Sequence, residues 1–184
     1  MSHIGTLIAI VGMPGSGKSV AADFFRSKGI PVLRFGDQTD IGLAQHDLVR
    51  NEKNERWYRE ELRKELGMAA MAIKIEPRIE ETAKKSTQIV LDGLYSWEEY
   101  KYLKEKYPML TLLCVYAPPS VRHTRLATRP IRPLTAAESA ARDTAEIENL
   151  NKGGPIALAD ILVPNLSSEK EFIDQLAKFY NTLI

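Results

Sequence analysis

Gly12-Met13-Pro14-Gly15-Ser16-Gly17-Lys18-Ser19 is the stretch whose reading decides the fold of this chain. Glycine, a four-residue gap and then Gly-Lys-Ser is the full phosphate-binding loop pattern. The flanks agree with it. Leu7-Ile8-Ala9-Ile10-Val11 is a short, continuously apolar run of the kind a buried parallel strand needs. Val20-Ala21-Ala22-Asp23-Phe24-Phe25 suits the first turns of a helix. Strand, glycine loop and helix make an anion cradle: the glycines let successive N–H groups turn inward, and the helix N-terminus adds positive potential. Lys18 can reach the outer phosphates of a nucleotide as a mobile charge, and Ser19 can offer its hydroxyl to Mg2+. The expected nucleotide contacts run from Gly12 through Met13, Pro14, Gly15, Ser16, Gly17, Lys18 and Ser19 to Val20.

Outward from the loop, apolar strand-like runs alternate with helix-like segments, which predicts an α/β fold with a mainly parallel sheet. The strand candidates are Thr6–Val11, Val32–Phe35, Ile89–Leu91, Leu110–Tyr116 and Ile161–Val163. Capping boxes are predicted where Ser96 precedes Glu99, Thr135 precedes Glu138 and Ser168 precedes Glu171. Phe172, Leu176, Phe179 and Leu183 recur at helical spacing and predict a core-facing stripe on the last helix. Two stretches break the alternation. Residues 38–87 form a long insertion, charged around Arg50–Arg63 and then apolar; Tyr58, Leu62, Leu66 and Ala69 share a helical face, so two helices are expected there. Residues 129–134 hold Arg129-Pro130-Ile131-Arg132-Pro133, whose prolines deny regular structure. Beside a phosphate loop, this arginine-bearing segment reads as a mobile lid over an anion.

Ligands of parallel α/β sheets sit beyond the C-terminal ends of the strands. Asp92-Gly93 follows the third strand, and Asp92 is placed to orient Mg2+ or its waters. Gly36-Asp37 follows the second; Asp37 is either the base for a substrate hydroxyl or a helix cap. Arg122, Arg125, Arg129, Arg132 and Arg142 cluster around the lid, where phosphoryl transfer needs cations and the exclusion of water.

Composition narrows the partners. With 25 basic and 24 acidic residues the net charge is +1, so no strong field draws the chain to nucleic acid or a membrane. No apolar run reaches the roughly 20 residues that span a bilayer, and a secretory signal pattern is missing from the first residues. The one cysteine, Cys114, lies in an apolar strand and reads as core. These features predict a soluble, cytoplasmic protein, a monomer or homodimer, organised as one domain over residues 1–184.

The stretches Gly12–Ser19, Gly36-Asp37, Asp92-Gly93, Arg125-Leu126-Ala127-Thr128-Arg129, Arg142-Asp143 and Ala159-Asp160-Ile161-Leu162-Val163-Pro164-Asn165 resemble the nucleoside monophosphate kinase branch of P-loop proteins. The relatives in view are adenylate kinase, dephospho-CoA kinase and a group of small, mostly archaeal, kinase-like proteins. The resemblance spans nearly the whole chain, weakest between Gln38 and Asn54. It implies a three-layer α/β/α P-loop fold with a five-stranded sheet, an acceptor-binding insertion and a lid. It also implies an ATP- and Mg2+-dependent phosphotransferase acting on a small nucleotide-like acceptor. By the same resemblance Arg125 stacks on the adenine, Arg129 and Arg142 bind phosphate from the lid, and Pro164-Asn165 lies beside the adenine edge. Arg63, Asp37, Asp92 and Gly93 then face the acceptor.

Two arginines that adenylate kinases use for the acceptor phosphate are replaced here by Asp40 and Tyr95. Phosphate prefers bidentate arginine partners, so their loss favours a hydroxyl acceptor, as in dephospho-CoA kinase, with Asp37 as base. A P-loop NTPase, or a nucleotide-binding regulatory protein without an acceptor, are the rival expectations.

Overall fold

Thr6–Val11 forms β1, the centre of a five-stranded sheet, and its apolar run is buried from Leu7 onward. The structure, a computed structural model, describes residues 4–183. β2 (Val32–Arg34), β3 (Gln88–Asp92), β4 (Thr111–Tyr116) and β5 (Ile161–Pro164) join it in the order β2-β3-β1-β4-β5, and every pairing is parallel. Each strand matches its sequence expectation to within a residue or so.

Helices cover both faces, as a sheet buried on both sides requires. Phe24 and Phe25 of α1 (Lys18–Ser27) and Phe172, Leu176 and Phe179 of α9 (Glu169–Tyr180) pack on Ile8, Ile10, Val90, Leu113 and Val115. The predicted stripe on α9 is thus core, with Leu183 packed against it just past the helix end. On the other face, α4 (Ala70–Ala83) and α5 (Trp97–Lys106) bury Ile75, Ile79 and Leu103 against Leu7, Ala9, Ile89, Leu91 and Leu112. Cys114 is buried there too. Each fully buried side chain of this size contributes about 1.5–3 kcal/mol.

The insertion differs from its sequence expectation. It holds three helices: α2 (Asp37–Gln45), α3 (Glu52–Leu66) and α4. α2 has no apolar stripe to announce it. It forms because Gly42 lets the Tyr58 ring of α3 lie against its backbone; a Cβ there would stand 1.9 Å from Tyr58 Cζ. Ala69 does not continue the face of Tyr58 and Leu62, because Gly67 at φ +75 ends α3 and Ala69 caps α4. Ser96 and Thr135 make full capping boxes, whereas Ser168 accepts from Glu171 N–H but the Glu171 carboxylate turns to Ser167. The remaining helices are α6 (Pro119–Thr128), α7 (Ala136–Leu150) and the short α8 (Gly153–Ala157).

Candidate active site

The phosphate loop connects β1 to α1, and two distant side chains clamp it. Arg122 of α6 is 4 % exposed. It donates to Pro14 O at 3.0 Å and to Ala117 O at 3.0 Å, and grips Asp143 of α7 with two bonds of 2.8 and 2.7 Å. Burial works against the Asp143 charge, but hydrogen bonds from Arg122 and His123 hold its carboxyl below the usual range. From the other side Asn165, just past β5, donates through Nδ2 to Ser16 O at 2.8 Å. The glycines follow from this crowding. Gly17 has φ +106, and a Cβ on it would lie 2.2 Å from Asn165 Nδ2; a Cβ on Gly15, at φ +78, would lie 2.7 Å from Arg122 O.

Lys18 is half-buried, not fully exposed, and donates to Gly12 O at 2.8 Å and Met13 O at 3.1 Å. Burial, helped by the Lys152 charge, lowers its pKa to about 7. It lies in a cavity of about 350 Å³ lined also by Gly15, Gly17, Ser19, Arg34, Asp92, Tyr95, Arg125 and Arg129. So Ser19 and Asp92, the expected Mg2+ residues, share one cavity with Lys18. Burial pushes the Asp92 carboxyl up, against the pull of Arg34 and Lys18. Two polar atoms in and under this site are buried without a partner, Arg125 Nη1 and Ser16 Oγ. Arg125 Nη2 donates to Asn165 Oδ1 at 3.1 Å. An unpaired buried guanidinium nitrogen, a free hydroxyl and a cationic cavity fit an anionic nucleotide. No group of three His, Cys, Asp or Glu side chains forms a metal site among the described residues. A divalent cation between Ser19 and Asp92 would draw its remaining ligands from phosphate oxygens and water.

A second cavity, about 450 Å³, adjoins the first: Gly36 and Tyr95 line both. Its walls hold Phe35, Thr39 and Met71, the cations Arg59, Arg63, Arg132 and Arg142, and the carboxylates Glu52, Glu55, Glu99 and Glu146. Burial pushes the Glu99 carboxyl up to about 7 although it accepts the N–H groups of Tyr95 and Ser96. Arg63 stands here as expected; its side chain makes no hydrogen bond or close ion pair among the described residues, and its charge acts on Glu99. The lid arginines divide. Arg129 lines the phosphate cavity, while Arg132 and Arg142 line the second one. Arg132, at φ +53, reaches Glu55 of α3 at 3.9 Å. A third cleft, about 460 Å³ beside Trp57, His46 and Glu61, contains no residue of the phosphate loop.

Gly93, expected to face the acceptor, lines neither cavity, and Asp37 is kept apart as well. It is the first residue of α2, bonded by Arg78 at 3.2 Å and approached by Arg34 at 3.7 Å, and it lines neither cavity. Asp40, at the place where the resemblance implies a phosphate-binding arginine, pairs with Arg50 at 3.3 Å. Sequence reasoning missed Arg34, Glu146 and Lys152 as site residues. Arg34 ends β2 and was open to the same strand-end rule that found Asp92. Lys152 gave no signal: it is 1 % exposed, ion-paired to Glu146, with Nζ 4.8 Å from the centre of the Tyr95 ring.

Comparison with known proteins agrees with this geometry. The AAA domain family matches residues 8–151. A UPF0200 protein of Pyrococcus abyssi is 32% identical over 170 residues, 90% of each chain. Among solved structures, TT1252 from Thermus thermophilus superposes with a TM-score of 0.69 at 21% identity, over 98% of this chain and 97% of that one. Dephospho-CoA kinase from Campylobacter jejuni gives 0.59 at 12% identity, over 97% of both chains. Both likenesses are of fold, a three-layer α/β/α architecture around a parallel five-stranded sheet. With the phosphate loop, the adjoining second cavity and the family match in place, this chain belongs to the UPF0200 family of AAA-domain proteins.

Proposed function

We propose that the protein is an ATP- and Mg2+-dependent phosphotransferase acting on a small, nucleotide-like acceptor. The observation that carries this reading is the adjoining pair of cavities, one built for phosphates and one lined by side chains of both charges, meeting at Gly36 and Tyr95. An NTPase that transfers only to water has no use for the second. The dephospho-CoA kinase likeness in fold supports the same reading.

Bound ATP would supply the γ-phosphoryl group, and Mg2+, held by Ser19 and Asp92, would offset the charge on its oxygens. The N–H groups of the loop from Gly12 to Val20, Pro14 excepted, would cradle the phosphates, Lys18 would leave its two loop carbonyls to meet them, and Ser19 and Asp92 would hold the metal. Arg125 offers its unpaired nitrogen to the nucleotide, beside Asn165 and Pro164. Arg129 covers the phosphates and Arg142 the acceptor side, shutting out water. Arg63 holds the acceptor's anionic group.

The test is to incubate the protein with γ-labelled ATP, Mg2+ and a panel of nucleosides, nucleoside monophosphates and dephospho-CoA, and to look for a labelled product. A labelled acceptor is the expected result. Steady phosphate release with no labelled acceptor makes the protein an NTPase, and tight ATP binding without turnover makes it a regulatory nucleotide binder; either overturns the proposal.

A further inference from the structure

We infer that Glu146 orients the acceptor and takes its proton, and that the acceptor is a small anion presenting a hydroxyl to it, not the bare oxygen of a second phosphate. This rests on the phosphotransferase reading above. A hydroxyl nucleophile must lose a proton as it attacks, so a carboxylate has to lie within hydrogen-bond reach of it. That carboxylate must line the acceptor cavity close to Lys18, where the transferred phosphoryl group sits. Asp37 lies outside both cavities, held by Arg78 and Arg34. Asp92 belongs to the phosphate cavity.

Four carboxylates remain, and three are accounted for. Glu55 is engaged by Arg50 at 2.9 Å, Arg59 at 3.7 Å and Arg132 at 3.9 Å. Glu99 closes the capping box of α5 through Tyr95 N–H at 2.8 Å and Ser96 N–H at 3.0 Å. Glu52 is exposed in the first turn of α3.

Glu146 is different. Its side chain is 12 % exposed, and it is held from two sides by Lys152 and by Arg142 at 3.3 Å. Its charge and that of Lys152 both act on Lys18, and Lys152 lies against the face of Tyr95, the residue common to the two cavities. The Glu146–Lys152–Tyr95 group therefore stands at the seam between donor and acceptor. A carboxylate has about four acceptor sites, and two cations leave room for a hydrogen from the acceptor.

The other end of the acceptor is read from Arg63. It is half-buried, its side chain makes no hydrogen bond or close ion pair among the described residues though its charge acts on Glu99, and it lies one turn from Arg59 on the wall of the same cavity. An anionic group fits these two. In the transfer, the acceptor oxygen bonds to the γ-phosphorus while its proton passes to Glu146. The β–γ bridging bond of ATP breaks, and ADP leaves with that electron pair.

The test uses the full chain with Glu146→Gln and Glu146→Asp. Hydroxyl probes are dephospho-CoA and D-gluconate, with neutral adenosine as the control for the anionic group; AMP is the phosphate probe, read as label arriving in ADP, and water the background acceptor. ATP affinity is measured separately by fluorescent-analogue titration, and folding by circular dichroism. Expected is transfer to a hydroxyl probe that falls by about 10²-fold or more in Glu146→Gln, with ATP affinity nearly unchanged, and an intermediate loss in Glu146→Asp. If Glu146→Gln does not fold, Glu146→Asp carries the test, because it keeps the charge against Lys152 and Arg142 and only draws the carboxylate back. Transfer to AMP alone, undiminished turnover in the folded variants, or a larger loss in Asp37→Asn overturns the inference and leaves the kinase standing. ATP binding without transfer to any probe overturns the kinase reading itself, and the inference falls with it.

Discussion

The phosphate end and the acceptor end of this site are built differently. At the phosphate end the working groups are mostly backbone amides, fixed by buried side chains at 2.7–3.0 Å: Arg122 on Pro14 and Asp143, Asn165 on Ser16. At the acceptor end they are long side chains from α3, α7 and the lid, and many of the contacts are looser, from 3.3 to 3.9 Å, with exposed partners. A frame of the first kind presents the same cradle whatever the chain binds next. A frame of the second kind can be retuned by single substitutions, so substrate choice belongs there.

The contrast breaks most readily at Arg122. Removing one partner of a buried, hydrogen-bonded ion pair costs about 3–5 kcal/mol, so Arg122→Ala should lose about that much in urea denaturation and lose nucleotide binding with it. A cost below about 1 kcal/mol, the range of exposed pairs, would mean that the phosphate end is no more rigid than the other.

Lys18→Met comes next. Nucleotide turnover should fall by about 10²–10³-fold, as for other groups aimed at transition-state charge, while the empty protein gains stability. The sign follows from burial. The folded pKa of Lys18 is about 7 against 10.5 for the free side chain, so between those values the unfolded chain holds the proton and the folded one does not. The burial penalty is complete below pH 7 and disappears towards 10.5, so Lys18→Met should raise Tm most at or below pH 7. The same shift makes wild-type ATP binding take up a proton above pH 7. Affinity should weaken with rising pH, by up to about tenfold per unit, and calorimetry in buffers of different ionisation enthalpy reads that uptake. A flat profile from pH 7 to 9 would contradict it.

The smallest effect is expected at the lid. Arg132 is 62 % exposed and meets Glu55 only at 3.9 Å. Arg132→Ala should change stability by less than about 1 kcal/mol. A larger loss would show that the acceptor end is as firmly framed as the loop.

The same division decides what could be read from the sequence. The loop, the strands and the residues at strand ends depend on local spacing, and Lys18, Ser19 and Asp92 converge in the structure as their positions suggested. The acceptor cavity depends on which faces of α3, α4 and α7 meet, and no local pattern records that. α2 lacked an apolar stripe, so its helix appears only once Tyr58 packs on Gly42. Asp37 looked free because Arg78, 41 residues away, is brought beside it only by the packing of α4. Lys152 looked like a surface lysine until Glu146 and Tyr95 enclosed it.

The Asn165 clamp gives the site a place in time as well as in space. The amide that holds Ser16 lies 149 residues further along the chain. A chain emerging from the ribosome N-terminus first carries its glycine loop well before the partner that Gly17 is shaped to receive. A fragment stopping short of Asn165 would hold the phosphate-loop sequence without the side chain that clamps Ser16.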